Sequence, residues 1–313
     1  MPARLRRRAV MGGLGVTGLA SAGHFVYRSA PAFWDQYMRE VKRGILPPPA
    51  QPRWREWRDT GLYAAWIGHT TVLIKVDGYT ILTDPVFSDR CGIRLGPVTL
   101  GLKRLVAPAL GISQLPRIDL VLLSHAHMDH FDIPSLRALE NRNTGVITAR
   151  ATSDLLRLDR YNRVQEVGWG EQVQAGPVTV RGVRVNHWGA RMRTDTYRGY
   201  NGYVIESGGR RILFGGDTAD TQEFRRLRTS RPFDLAIMPI GAYNPWIHAH
   251  CTPEQAVRMA GEAGADRILP VHHQTFQLSR EPYHEPIERC LIAAGPDSSR
   301  VVARRIGDEA ALA

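Results

Sequence analysis

The chain has 313 residues, 43% of them hydrophobic, and a formal charge of +11 at neutral pH. That length and apolar share suffice to bury the core of one large domain once a leader is set aside, and no short-period repeat or low-complexity tract points to a solenoid or fibre. Three dispersed cysteines, Cys91, Cys251 and Cys290, exclude a disulfide framework and lack metal-site spacing; burial as small apolar residues is expected, although export would permit one bridge.

Arg4, Arg6, Arg7 and Arg8 supply four of the positive charges and residues 1–22 contain no acid, leaving +7 for the rest. Arg6-Arg7-Arg8-Ala9-Val10-Met11, a weakly apolar glycine-rich stretch and Ala20-Ser21-Ala22 together look like a twin-arginine export signal. Residues 1–22 are therefore read as an export signal, or as a membrane anchor if the segment continues through Phe25, Val26 and Tyr27. A periplasmic or membrane-associated location follows, with a cytoplasmic protein bearing a basic amino terminus as the alternative.

Residues 23–58 form a connecting region. Phe33, Trp34, Tyr37, Met38 and Val41 recur at helical spacing beside Arg39, Lys42 and Arg43, which predicts an amphipathic helix of about three turns. Such a helix either lies on a bilayer or packs onto the following domain. Pro47-Pro48-Pro49-Ala50-Gln51-Pro52 then reads as a stiff linker, because proline fixes φ.

Residues 59–313 alternate strand and helix patterns. Strands are predicted over 62–66, 71–76, 80–83, 120–123, 145–148, 178–185, 200–206, 211–214, 235–238, 267–271 and 301–306. Helices are expected after Asp132 and after Thr252, where Pro253 opens a turn and Thr252-x-x-Gln255 forms a capping box. The long glycine-rich connection from Ser88 to Arg117 mixes leucines with Arg90, Arg94, Lys103 and Arg104. A connection of that length is often functional, and it is expected either to border a substrate entrance or to pack as a surface loop. Tyr243, Asn244, Pro245 and Trp246 form a second candidate rim, with Tyr243 and Trp246 as substrate contacts.

The chemistry concentrates in Ser124-His125-Ala126-His127-Met128-Asp129-His130, directly after the apolar run Ile118 to Leu123. A strand that ends in a turn there can aim His125 and His127 at one ion while Asp129 and His130 reach another; imidazoles with a carboxylate suit zinc. Further ligands are sought where other strands stop. His187 ends the alternating run Val178, Val180, Val183, Val185; Asp217 follows Gly215-Gly216, whose glycines let backbone come close to an ion; His272 closes Ile268 to Val271. His272 and His273 cannot both face the site from one continuing strand.

These motifs resemble the metallo-β-lactamase superfamily, within it the branch of N-acylphosphatidylethanolamine-hydrolysing phospholipase D and the bacterial ascorbate-phosphate lactonases. The likeness runs from about Trp66 to Glu288 through Gly68-His69-Thr70, Leu82-Thr83-Asp84-Pro85, the histidine cluster, Asn186-His187-Trp188, Gly215-Gly216-Asp217-Thr218, Ile240-Gly241-Ala242-Tyr243, Thr252-Pro253-Glu254 and His272-His273-Gln274. It implies an α/β fold, the four-layer αββα sandwich, and two Zn²⁺ ions, with Mn²⁺ as another candidate. It assigns His125, His127 and His187 to one ion, Asp129, His130 and His272 to the other, and Asp217 to both; it selects His272 over His273. His273-Gln274 departs from the Trp-Gly of the phospholipase pattern, so this pocket wall is the chain's own.

By the same resemblance Asp84 lies beneath the cluster as acceptor for a ligand His N–H, the alternative being a turn aspartate before Pro85. His69 and His250 match positions that contact the metal shell or substrate, or serve structural hydrogen bonds. His24, His248 and His284 read as ordinary polar residues.

The implied reaction is hydrolysis by hydroxide generated between the cations, on a phospholipid diester, with Asp129 or His250 as the proton carrier. The runner-up is opening of a lactone. A non-hydrolytic redox or scaffold member fits less well, because di-iron relatives carry Glu where His127 stands. As partner, an anionic phospholipid or membrane surface fits the basic chain better than nucleic acid, since the basic residues are scattered without interleaved aromatics.

Overall fold

The computed structural model describes residues 31–96 and 98–312; the expected export signal and His24 lie outside the described residues. The chain divides between Gly44 and Ile45 into two units. In the first, helix α1 (Pro31–Lys42) carries Arg39 and Lys42 in its last turn, where cations meet the negative end of the helix dipole. This is the helix expected from the aromatic spacing. No helix among the described residues is long and apolar enough to cross a membrane.

The second unit contains the strands β1 (Leu62–Gly68), β2 (Thr71–Val76), β3 (Tyr79–Thr83), β4 (Arg90–Leu95), β5 (Val98–Lys103), β6 (Leu120–Leu123), β7 (Gly145–Ala149) and β8 (Arg163–Val167). They are followed by β9 (Gln172–Ala175), β10 (Val178–Val183), β11 (Gly202–Ser207), β12 (Arg210–Phe214), β13 (Leu235–Pro239), β14 (Ile268–Val271) and β15 (Glu309–Leu312). Helices α2 (Ile133–Ala138), α3 (Pro253–Ala263) and α4 (Glu285–Ala294) complete it. One sheet has the order β15-β1-β2-β3-β6-β7-β8, the other β14-β13-β12-β11-β10-β9, and β4 pairs with β5 alone.

Alternation along the strands explains the layers. Tyr203, Ile205, Phe214, Ile237 and Leu269 join a core shared with the first sheet's Trp66, Leu73, Leu122 and Ile147. Their neighbours Val204, Leu213, Met238 and Ile268 turn the other way and pack with Met259, Ala260, Ile287 and Cys290 of α3 and α4. Each such fully buried large apolar side chain contributes about 1.5–3 kcal/mol. The Tyr203 hydroxyl donates to Leu123 O at 2.8 Å and ties the sheets together. With Phe131 and Leu136, around α2, on the first sheet's side, the order is the expected αββα sandwich.

Helix α3 starts as expected: Thr252 Oγ1 accepts from Gln255 N at 3.3 Å, Gln255 Oε1 accepts from Thr252 N at 2.8 Å, and Gly264 ends the helix in the left-handed region. All three cysteines are free and buried; none bridges another.

Several elements differ from expectation. The proline-rich segment does not stand off as a linker but belongs to the larger unit: Leu46 pairs with Val106, and Arg53 N and Trp57 Nε1 both donate to Glu309 Oε2 at 2.9 Å. The strand expected over 301–306 reduces to a bridge from Val301 to Ile268, and β15 takes the sheet edge instead. Much of the long connection after Ser88 is the β4–β5 hairpin. Its facing glycines make it: a Cβ at Gly92 would stand 2.1 Å from Leu100 O, and one at Gly101 1.9 Å from Cys91 O, so the two strands approach this closely only without side chains there.

Candidate metal centre

The histidine turn begins where β6 stops. His130 N and Phe131 N both donate to His127 O, at 3.1 and 2.7 Å, which curls the chain so that His125, His127, Asp129 and His130 converge. The Arg191 guanidinium braces this curl from outside, Nη1 donating to Ala126 O at 3.0 Å and Phe131 O at 2.8 Å. The other residues arrive from the ends of neighbouring strands. Asp217 follows Gly216, whose φ is +58° and where a Cβ would meet Asn201 O at 2.5 Å; glycine permits both the conformation and the approach. His69 and His272 are held with φ of +53° and +64°, each just beyond a strand end.

Four overlapping groups of donor atoms result, and Asp217 joins His125 and His130 in one and His187 and His250 in another. Of the other two, His125, His127 and His187 form the first; Asp129, His130 and His272, joined by His69, form the second. His125 Nε2 lies 2.8 Å and His187 Nε2 3.3 Å from His127 Nδ1. Asp217 Oδ2 stands between the first and the second, 3.0 Å from His130 Nε2, 3.1 Å from His272 Nε2 and 3.8 Å from His187 Nε2. Nearly all of this is buried.

Tautomers are set from behind. His187 Nδ1 donates to Ala249 O at 2.9 Å and His130 Nδ1 to Asp84 Oδ2 at 2.8 Å, which turns each Nε2 toward the centre. Asp84 also accepts from Ser124 N at 2.7 Å and Ser124 Oγ at 2.6 Å. It therefore accepts from both His130 and Ser124 beneath the cluster, with a carboxyl that burial pushes up. His69 Nε2 is 3.0 Å from Asp129 Oδ2 and donates to it, fixing the carboxylate's aim.

Electrostatics divide along the same line. Burial holds His125 and His187 well below the ordinary imidazole range and lowers His127, so all three present lone pairs at neutral pH. At His130 and His272 burial also opposes charge, but the adjoining Asp217 and Asp129 carboxylates outweigh it, placing His130 well above the usual range and His272 at about 9. Burial would raise Asp129 and Asp217, yet the facing histidines hold both well below the usual carboxylate range.

Divalent cations fit this donor set. His130 Nε2, His272 Nε2 and Asp217 Oδ1 are buried without hydrogen-bond geometry to any partner, a costly arrangement for atoms of this kind. Ring nitrogens of His125 and His187 also stand 2.8 and 3.3 Å from His127 Nδ1, closer than the length of two coordination bonds, a gathering that suits a central cation. Cations at the second group would displace the protons on His130 and His272.

Of the remaining candidates, His250 joins the margin: its Nδ1 is 3.8 Å from Asp217 Oδ2, and burial pushes it down to about 4. His273 faces away, stacked on Trp66 at 4.4 Å between ring centres. Trp246 is 54% exposed. Tyr243 is a correction: it is buried, its hydroxyl donates to Glu285 Oε1 at 2.7 Å, and Arg289 covers its ring. Its side chain serves the join to α4 rather than the substrate rim. Trp188, which sequence reasoning does not single out as a site residue, lies 4.7 Å from the His127 ring and 4.4 Å from that of His187 while 45% exposed. The signal that points to it is an aromatic next to a ligand at a strand end.

Comparison with known proteins agrees with this geometry. A family model described as beta-lactamase superfamily domain matches residues 79–273. A Mycobacterium tuberculosis protein described as uncharacterized is 35% identical, over 84% of this chain and 73% of its own length. The Caenorhabditis elegans N-acyl-phosphatidylethanolamine-hydrolyzing phospholipase D 1 is 31% identical, over 74% of this chain and 69% of its own. Among solved structures Igni18, a metallo hydrolase of Ignicoccus hospitalis, superposes with a TM-score of 0.59 at 18% identity, covering 80% of this chain and 97% of that one. The chain belongs to the metallo-β-lactamase superfamily, as a metal-dependent hydrolase with homologues among the N-acylphosphatidylethanolamine-hydrolysing phospholipases D.

Proposed function

We propose that this protein is a two-zinc phosphodiesterase that hydrolyses phospholipids of the N-acylphosphatidylethanolamine type. The observation that carries the reading is Asp217, whose carboxylate reaches both donor groups at once. His125, His127 and His187 would hold one ion, Asp129, His130 and His272 the other, with Asp217 shared. Imidazole-rich donors favour zinc, whereas manganese prefers carboxylates and water. When bound, such a pair supplies a nucleophile from water at neutral pH and neutralises charge developing on phosphoryl oxygens. The substrate class rests on the nematode relative named above.

The chain's own residues orient and move protons. Asp84 and His69 hold His130 and Asp129 in place. His250 is neutral and Asp129 ionised near pH 7, so either enters the reaction as a base. A proton that one of them delivers to the leaving alcohol must first be taken up, and the attacking water is its source. Trp188 and Trp246 offer apolar surface for a lipid at the open side. Export and work at a membrane surface belong to the same proposal.

The test incubates zinc-loaded protein and a His127→Ala variant with N-acylphosphatidylethanolamine and with a panel of lactones. Phosphatidic acid release that disappears in the variant is expected. Lactone opening alone would overturn the substrate class while leaving the metal centre standing.

A further inference from the structure

Beside the metal centre runs a groove of about 420 Å³ that no step above uses, walled by the β4–β5 hairpin, the start of α2 and the chain after Trp188. Met128, between His127 and Asp129, forms part of its lining, so the groove borders the turn that carries four of the proposed ligands. Four arginines line it from three parts of the fold: Arg90 and Arg94 on β4, Arg137 on α2, and Arg191 beyond Trp188. A single acid, Asp132, shares the wall, and its Oδ2 already accepts from Ser88 Oγ at 2.6 Å and from the Ser135 hydroxyl. Ile93 and Met192, both nearly half exposed, add apolar surface.

We propose that this groove is a subsite for an organic phosphomonoester, separate from the phosphate being hydrolysed. The proposal goes beyond the phosphodiesterase reading, because an N-acylphosphatidylethanolamine carries only the phosphate being cleaved and the one bound here belongs to a second molecule. Guanidinium forks match phosphate and carboxylate alike, but arginines gathered from several sides suit a tetrahedral anion with three or more acceptor oxygens and more than one charge. Arg90 Nη1 donates to Gly101 O at 2.7 Å and Arg94 Nε to Gly96 O at 3.0 Å, so the hairpin backbone aims both side chains before a ligand arrives. Arg191 is aimed likewise by Ala126 O and Phe131 O. The apolar wall supplies the contact that an acyl or glyceryl chain needs.

The probe is sn-glycerol 3-phosphate, its binding measured by calorimetry to full-length His127→Ala protein, where turnover is absent and a failure of the phosphodiesterase reading leaves the result untouched. Adding Arg94→Ala and Arg137→Ala is expected to weaken binding at least about tenfold, since removing even one charge-assisted hydrogen bond to the anion has an effect of that size; Arg94→Lys with Arg137→Lys recovers most of it. Unchanged affinity, or no binding to the His127→Ala protein, overturns the proposal. Circular dichroism checks each variant's fold. Should His127→Ala not fold, the comparison runs in the wild-type background, where the arginine pair must remove one of two binding events. Vesicles of phosphatidylcholine with and without phosphatidic acid separate the sources. Arginine-dependent retention on the second alone assigns the phosphate to a lipid headgroup, and binding of glycerol 3-phosphate without retention assigns it to a soluble phosphomonoester.

Discussion

The two halves of the donor cluster are built from the same imidazole but prepared in opposite ways. His125, His127 and His187 are kept neutral by burial and steered by a hydroxyl and a backbone carbonyl. His130 and His272 lie against Asp129 and Asp217, which hold protons on them. One half is ready for a cation, while the other must release protons before it binds one. Sequence identity of the ligands says nothing of this; the position of two carboxylates decides it.

The largest effect is expected at the residue common to both halves. Asp217→Asn removes the carboxylate that faces each group, and turnover should fall on the order of 10³-fold or more, with loss of metal visible by inductively coupled plasma mass spectrometry. A variant that keeps full metal and activity would separate the halves and break the comparison. Next comes Asp84→Asn, which takes from His130 the acceptor that sets its tautomer; metal affinity in the second half should drop by roughly 10–100-fold, measured by chelator competition, with the first half retaining its ion.

The pH dependence sharpens the contrast further. In chelated protein His272 titrates at about 9 against 6.5 for the unfolded chain. Its contribution, on the order of 3 kcal/mol, is present in full below 6.5 and lost as pH rises through 9. His69 and His273, pushed down to about 3, and His250, to about 4, act oppositely: the unfolded chain takes up protons below 6.5 that the fold refuses, so stability also falls on acidification. Melting temperatures of chelated protein should therefore peak near pH 6.5, and metal should abolish the alkaline decline by taking the protons' place. An alkaline decline that persists with metal bound would place the cation elsewhere. The smallest effect is expected from Trp188→Ala, which removes an exposed ring beside His127 and His187; KM for a lipid substrate should rise by less than about tenfold with kcat nearly kept.

Much of the framework is legible in the sequence because alternation and burial coincide. Strands at 71–76 and 120–123 match their predicted bounds, and the candidate ligands lie in the turns that follow β6, β10, β12 and β14. What escapes has no such pattern. The β4–β5 hairpin hides behind glycines and arginines whose meaning is cross-strand contact rather than periodicity. The strands β8 and β9, with exposed Arg163, Gln172 and Gln174, are sheet-edge segments too polar to announce a buried face. Helix α4 begins at Glu285-Pro286 and goes unpredicted, although it is α4 that draws the Tyr243 hydroxyl inward. His69, already matched by resemblance to the metal shell or substrate, reaches Asp129 through a left-handed backbone after Gly68.

Metal stoichiometry measured on the full-length protein after purification and zinc loading tests the central claim most directly. Two ions per chain, with one retained in His127→Ala, are predicted; a single ion in the wild type, or two undiminished in that variant, would contradict a centre built from two halves around Asp217.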